Sequence, residues 1–287
     1  MGGGATRGFD AAVDAAHWRR FERMISKRKT LSSFSKLFGI DAERGLGNLV
    51  ALRWYLSDLR TLRKQQAQSE SRFNFGKLYP CLEDRRADGG TATGHYFHQD
   101  LLVARRIHQN RPVRHVDVGS RVDGFIAHVA SFRPIVVMDI RNIPSVVPNM
   151  EFIQADLMRY PEASLVGSFD SLSSLHALEH FGLGRYGDPI NYEGHLVGLT
   201  NMSALLAPGG KFYFSVPVGP QRIEFNAHRV FSIRYLLDCL DASFRIDDFS
   251  YVDDKGDLYE HAQLNPTDVE GNFGCTYGCG IFEATKK

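Results

Sequence analysis

The chain of 287 residues is 43% hydrophobic and 11% aromatic, enough to build a core, which excludes a disordered chain. Charged residues make up 23%, and 34 Lys and Arg against 33 Asp and Glu leave +1, which excludes a globally basic nucleic-acid coat. The neutrality is not local: residues 1–64 hold 13 basic and 6 acidic side chains, or +7, which leaves 21 and 27, or −6, for residues 65–287.

Four cysteines make no disulfide framework, and no signal-peptide core follows Met1. No run approaches the roughly 18 apolar residues that span a bilayer, so a reduced, cytoplasmic protein is expected. The head reads as two helices. Val13, Ala16, Phe21, Met24 and Ile25 form one apolar stripe, and Leu49, Leu52, Leu56 and Leu59 form the second. Their basic faces, Arg19 to Lys29 and Arg53 to Lys64, read as solvated surfaces, with nucleic-acid contact the lesser reading. Residues 65–71 read as a polar break, residues 88–94 as a glycine-rich loop, and Tyr96 to Gln109 as a third helix with Leu101, Leu102 and Ile107 inward.

From residue 113 short β-branched runs alternate with helical stretches, the pattern of a parallel sheet wrapped in helices. Strands are expected at Val113–Val118, Ile135–Asp139, Glu151–Ala155, Phe169–Leu175, Lys211–Val216, Phe244–Val252 and Gly280–Thr285. Helices are expected at Gly124–Phe132, Tyr192–Leu206 and Ser232–Leu240. Residues 253–277 form an insertion longer than a hairpin needs, read as a substrate wall or a homodimer contact, with Cys275 and Cys279 as buried thiols.

Asp117-Val-Gly119 closes the first strand and opens a helix, where glycine admits a ligand to the backbone and the helix start offers free N–H groups. Asp139 ends the second strand 22 residues on, the spacing at which an acid accepts both ribose hydroxyls of an adenosine-containing cofactor. Asp156 and Leu157 follow the third strand, placed to take an adenine amino group and to pack on the ring. Three acids at successive strand ends converge on one crevice, where open α/β sheets bind ligands.

Asp117-x-Gly119, Asp139, Ala155-Asp156-Leu157, Leu178-Glu179-His180 and Leu206-Ala-Pro-Gly-Gly-Lys211-Phe-Tyr-Phe-Ser-Val-Pro217 together resemble the class I S-adenosylmethionine-dependent methyltransferases. Glu179 to Asp188, with His95 to Asp100, resembles a bacterial subgroup met among surface-glycan biosynthesis genes. The resemblance implies a Rossmann-like, seven-stranded, mostly parallel α/β sheet with helices on both faces over residues 95–287, its last strand antiparallel. Residues 1–94 are then a basic helical extension and linker. It implies S-adenosyl-L-methionine as cofactor, contacted by Asp117, Gly119, Ser120, Arg121, Asp139, Ile140, Asp156, Leu157 and His176, with Tyr96 and Gln99 over its methionine end. Arg121 stands where the family has a second glycine and Gly124 comes one place late, so the Arg121 side chain must turn away from the cofactor or meet its carboxylate.

A methyl transfer to a hydroxyl needs aligned reactants and a base at the crevice rim. His228 is the leading candidate, followed by His180 and Asp188. Glu179, Arg185, Tyr186 and Arg229 are the expected acceptor contacts, on a small molecule or glycan precursor. His176, Glu179 and His180 also match the place of a divalent-metal site in some related O-methyltransferases, although His176 replaces an acid there; the preferred expectation is no metal. The alternatives are an NAD-dependent oxidoreductase or epimerase, which lacks its G-x-G-x-x-G here, and a catalytically silent module binding a partner through residues 11–64.

Overall fold

The computed structural model describes residues 42–70 and 73–287, apart from the side chains of residues 42–46 and Arg86. The first helical stripe, Val13 to Ile25, lies outside the described residues. The chain divides into two compact units, Met1–Gly90 and Thr91–Lys287.

Within the first unit, α1 (Ala42–Gln68) runs on through most of the expected polar break. Its Gln-rich end has good helix propensity, and polarity does not itself stop a helix. Arg53, Arg60, Arg63 and Lys64 are exposed. The Arg85 guanidinium lies 4.7 Å over Trp54 and bonds Asp58 at 3.2 Å, tying the segment after α1 back onto it.

The second unit begins with α2 (His95–Asn110), which buries Leu102, Val103 and Ile107. Leu101, read as inward, is half exposed. The sheet follows: β1 (His115–Val118), β2 (Ile135–Asp139), β3 (Met150–Gln154), β4 (Phe169–Leu175), β5 (Leu206–Val218), β8 (Phe244–Val252), the two-residue β9 (Leu258–Tyr259) and β10 (Gly278–Lys286), in the order β3-β2-β1-β4-β5-β10-β8-β9. That is one strand more than expected. The first five are parallel, and β10 is antiparallel to both β5 and β8. β6 (Arg222–Glu224) and β7 (His228–Val230) form a separate hairpin that sequence periodicity did not reveal.

β1 and β2 are buried on both faces, which is why β2 opens on an unbroken apolar run and why the polar His115 and Asp117 of β1 are buried. Alternate residues feed two cores. Val116, Val118, Val136 and Met138 pack with Leu199, Met202 and Leu205 of α4 (Gly194–Leu205) and with Leu236 and Leu240 of α5 (Ile233–Asp241). Ile135 and Val137 pack with α2 and with Phe125, Ile126 and Val129. The expected helix at residues 124–132 is a π-turn, Val122–Ile126, running into the short α3 (Ala127–Ala130). The irregular insertion holds α6 (Pro266–Glu270), begun by Asn265, whose side chain accepts from Asp268 N. Among the described residues no helix is long and apolar enough to cross a membrane.

Strand order reverses at β1: β2 lies on one side of it and β4 on the other. The connections leaving β1 and β4 therefore part to opposite faces, and a crevice opens over their C-terminal ends.

Candidate active site

The crevice encloses about 550 Å³ of empty space including its open mouth, and Gly119, Asp139, Ile140, Asp156, Leu157, His176, His180, Tyr186 and Asp188 of the expected site all line it. Gly119 has φ +74, and a Cβ there would sit 2.9 Å from the Ala177 Cβ, so only glycine lets β1 turn here against the end of β4. Asp139 stands at the rim of β2, 8% exposed. Its Oδ1 accepts from the Arg141 backbone N at 2.8 Å, and the Arg141 guanidinium spans both carboxylate oxygens at 2.9 and 2.7 Å. Asp156 Oδ1 accepts from Met158 N at 2.9 Å, which fixes the turn that carries Leu157 into the wall.

Arg141 was missed by sequence reasoning. It lies in the crevice lining with its guanidinium 4.3 Å over the Tyr186 ring, and Arg185 lies 5.2 Å from the same ring. The only available signal was its place two residues after Asp139, where a cation meets the carboxylate.

Asp117 and Ser120, expected to contact the cofactor, do not line the crevice. Asp117 is fully buried; it accepts from Ser120 N (3.0 Å), Ser120 Oγ (2.6 Å) and Ser173 Oγ (2.5 Å), and Ser120 Oγ in turn accepts from Leu175 N. These bonds tie the β1 turn to β4. Burial raises the Asp117 pKa to about 7, against the Ser120 and Ser173 hydrogen bonds that lower it. Its neighbour His115 bonds Ser171 and Ser173, and burial lowers its pKa to about 3. Arg121, also expected among the cofactor contacts, is not in the crevice lining; it pairs with Asp123 at 3.2 Å and lies 4.8 Å over Tyr96. Gly124 leaves room for Asp100, whose Oδ2 would be 2.5 Å from a Cβ there. Gln99 is buried and accepts from Ser215 Oγ at 2.6 Å, so it supports the site from beneath.

The opposite wall is imidazole-rich. His176 follows β4 with φ +51, a left-handed conformation that costs a β-carbon-bearing residue about 1–3 kcal/mol. Its Nδ1 bonds Glu179 Oε1 at 2.8 Å, and the same oxygen lies 3.7 Å from His180 Nε2. Glu179 is 1% exposed; burial opposes its charge, but His176 and then His180 outweigh it and hold the pKa below the usual carboxylate range. His180 Nδ1 donates to the Ala227 carbonyl at 2.7 Å, which leaves the Nε2 lone pair free. Burial is the main cause that lowers the His180 pKa, with Glu179 working against it.

Several expected contacts are committed elsewhere. Asp188 caps its own loop: Oδ2 accepts from Gly182 N (2.8 Å) and Gly184 N (3.2 Å), and Oδ1 from Tyr186 N (3.1 Å). A carboxylate so held is a poor base. Arg229 is 4% exposed, with its guanidinium on the carbonyls of Phe181 (2.6 Å) and Tyr192 (3.0 Å), so it pins the loop instead of facing an acceptor. Arg185 donates to Ala227 O at 2.9 Å. His228 lies outside the crevice lining, with Nε2 3.2 Å from Glu224 Oε2 and its ring 5.3 Å from Tyr277. His176, Glu179 and His180, the less favoured metal reading, do not aim at a common point, because both imidazoles direct a nitrogen at Glu179 itself.

A family model described as "Caenorhabditis protein of unknown function, DUF268" matches residues 136–262. No curated protein matches the chain. Among solved structures, the 1,6-didemethyltoxoflavin-N1-methyltransferase of Burkholderia thailandensis, with 1,6-didemethyltoxoflavin and S-adenosylhomocysteine bound, is 17% identical with a TM-score of 0.48, over 66% of this chain and 78% of that one. The [4+2]-cyclase SpnF is 18% identical with a TM-score of 0.48, over 66% and 80%. The N-methyltransferase NodS of Bradyrhizobium japonicum WM9, in complex with S-adenosylhomocysteine, is 12% identical with a TM-score of 0.44, over 67% and 88%.

Proposed function

We propose that the chain is an S-adenosylmethionine-dependent methyltransferase that modifies a hydroxyl of a sugar or glycan precursor. The observation that carries this reading is the ordered rim: Gly119, Asp139 and Asp156 leave three adjacent parallel strands and line one crevice with Leu157. The residues fit the cofactor's adenosine half. Val118, Met138, Ala155, Leu157 and Phe181 supply an apolar slot, and the Asp139 and Asp156 carboxylates beside it can accept from ribose hydroxyls and an exocyclic amine. Asp139 retains acceptor sites beside Arg141, since an ionised carboxylate offers about four.

When bound, S-adenosylmethionine supplies a methyl group on a positively charged sulfur. The chain's own residues must then orient the acceptor and take its proton. His180 is the base in this reading: it lines the crevice, Nδ1 is held by Ala227 O, and its lowered pKa keeps Nε2 unprotonated near neutrality. Glu179, beside it, stabilises the imidazolium formed as the proton arrives. Tyr186 and Arg141 in the crevice lining suit an anionic or hydroxyl-rich acceptor, with Arg185 lying 5.2 Å behind the Tyr186 ring. The positive head, +7 over residues 1–64, favours phosphorylated or nucleotide-linked acceptors by steering.

Thermal-shift measurements with S-adenosylhomocysteine, NAD and RNA side by side test the reading. Stabilisation by S-adenosylhomocysteine alone is expected. No shift with it, in folded and cofactor-free protein, overturns the proposal, and a shift with NAD alone replaces it with the oxidoreductase. Labelled cofactor in a matched glycan extract then identifies the methylated product.

A further inference from the structure

The fold brings His95 from the start of α2, His176 from the end of β4 and Cys279 from β10 together behind the crevice wall. One ligand atom from each lies within 4.8 Å of the other two. We propose that these three residues bind a zinc-class divalent cation.

The donor set fits that class. Two imidazoles and a thiolate match the borderline-soft character of Zn²⁺ and are poor ligands for Mg²⁺ or Ca²⁺. Tetrahedral zinc places nitrogen and sulfur ligands about 3.3–3.6 Å apart, from bond lengths of about 2.0–2.3 Å. His95 and His176 now stack at 5.2 Å with their planes 9° apart, and rotation of the His95 ring, with His176 held by Glu179, closes the remaining distance.

Three further observations point into the cluster. The His176 side chain is 4% exposed, and among the described residues its Nε2 has no nitrogen or oxygen partner; the side chain it meets beside Glu179 is the Cys279 thiol. Its other nitrogen bonds Glu179, the carboxylate–histidine arrangement that orients metal-binding imidazoles and turns Nε2 toward the ion. Cys279 is fully buried, with its sulfur 3.6 Å from Gln99 Oε1 and directed inward to the same place.

Binding forms one bond each from an imidazole nitrogen of His95, His176 Nε2 and Cys279 Sγ to the metal, and the protons displaced go to solvent. Three protein ligands leave one tetrahedral position for a water or an exogenous ligand. His176 also lines the crevice, so an occupied site stiffens that wall. The inference stands apart from methyl transfer and holds or fails on metal binding alone.

Full-length protein, freed of any polyhistidine tag and stripped with chelator, is titrated with Co²⁺. We expect one equivalent to bind, with the visible bands of tetrahedral cobalt and a near-ultraviolet thiolate charge-transfer band, both erased by Zn²⁺. Cys279→Ser removes the charge-transfer band, and loss of a ligand weakens binding by about 100-fold. Cys275→Ser leaves both unchanged. His95→Ala, at a half-buried helix start, tests the site without opening the sheet core and is expected to weaken binding to a similar extent with unchanged circular dichroism. No cobalt spectrum in folded protein overturns the proposal, as does a Cys279→Ser protein that keeps the thiolate band. Should Cys279→Ser fail to fold, an unaltered cobalt affinity in His95→Ala overturns it.

Discussion

Gly119, Asp139 and Asp156 stand at or just beyond the ends of strands whose backbones are fixed by ladders, on both sides for β1 and β2 and on one side for the edge strand β3. His176, Glu179 and His180 instead occupy a strained turn held by distant segments, through Ala227 for His180 and through Arg229 for the loop that follows. One wall takes its shape from the sheet and the other from side-chain bonds laid across it. The first is suited to a rigid ligand part common to many reactions, the second to an acceptor peculiar to one. Strand-end positions need little tuning once the sheet forms.

The sharpest way to break this contrast is to remove the proposed base. His180→Ala is expected to lower the methyl-transfer rate roughly 10²–10⁴-fold while leaving S-adenosylhomocysteine affinity within about threefold. Labelled-methyl incorporation and calorimetry measure the two separately. A rate that survives returns the base role to His228, whose position beside Glu224 and Tyr277 then has to move toward the crevice on acceptor binding.

Asp139→Ala attacks the other wall. Loss of a charge-assisted acceptor is worth about 1.5–3 kcal/mol, so S-adenosylhomocysteine affinity should fall about 10- to 100-fold. Equal affinity in the variant would remove the ribose contact from the proposed site.

Beneath the strand-built wall, His115 and Asp117 lie two residues apart on β1 and respond to pH in opposite senses. The His115 pKa drops on folding to about 3, so the unfolded chain binds the extra proton and stability falls as pH falls below about 6.5. The Asp117 pKa rises on folding to about 7, so the folded chain binds the extra proton and stability rises as pH falls from about 7 toward 4. The two largely cancel in the native protein. Asp117→Asn uncovers the His115 slope, a loss of about 2 kcal/mol from pH 7 to pH 5 relative to the parent difference, and His115→Gln uncovers the reverse. Urea midpoints at both pH values read this directly; parallel shifts in the two variants would show that neither group titrates as its burial requires.

The contrast also explains what the sequence disclosed. Strand ends are marked locally: a buried run, a glycine and an acid at set spacing place Gly119, Asp139 and Asp156 without any tertiary knowledge. The parallel sheet was legible from the alternation of strands and helices, and the antiparallel last strand only through the family resemblance. β5 was read as starting at Lys211 because Pro208-Gly209-Gly210 looks like a turn, whereas the strand begins at Leu206 and absorbs it with a register shift opposite Phe169 and Ser171. The roles of Arg229, Asp188 and Cys279 were hidden. A buried arginine on carbonyls, a carboxylate capping its own loop and a thiol facing two imidazoles are products of long-range packing, and nothing adjacent in the chain announces them.

Arg141 joins the two walls, since it clamps Asp139 on one side and covers Tyr186 on the other. Its side chain is half exposed, so water screens the pair and limits its worth to about 1 kcal/mol or less. Removing it has opposing effects: the Asp139 carboxylate is freed for a ligand, and the Tyr186 loop loses a cover. Arg141→Ala is therefore expected to change S-adenosylhomocysteine affinity by no more than about threefold, and in an Asp139→Ala background, where only the Tyr186 cover is lost, to lower it slightly. A double-mutant cycle by calorimetry at low salt measures both. A loss beyond tenfold in the single variant, retained in the double, would make Arg141 the group that faces the ligand and Asp139 the residue that positions it.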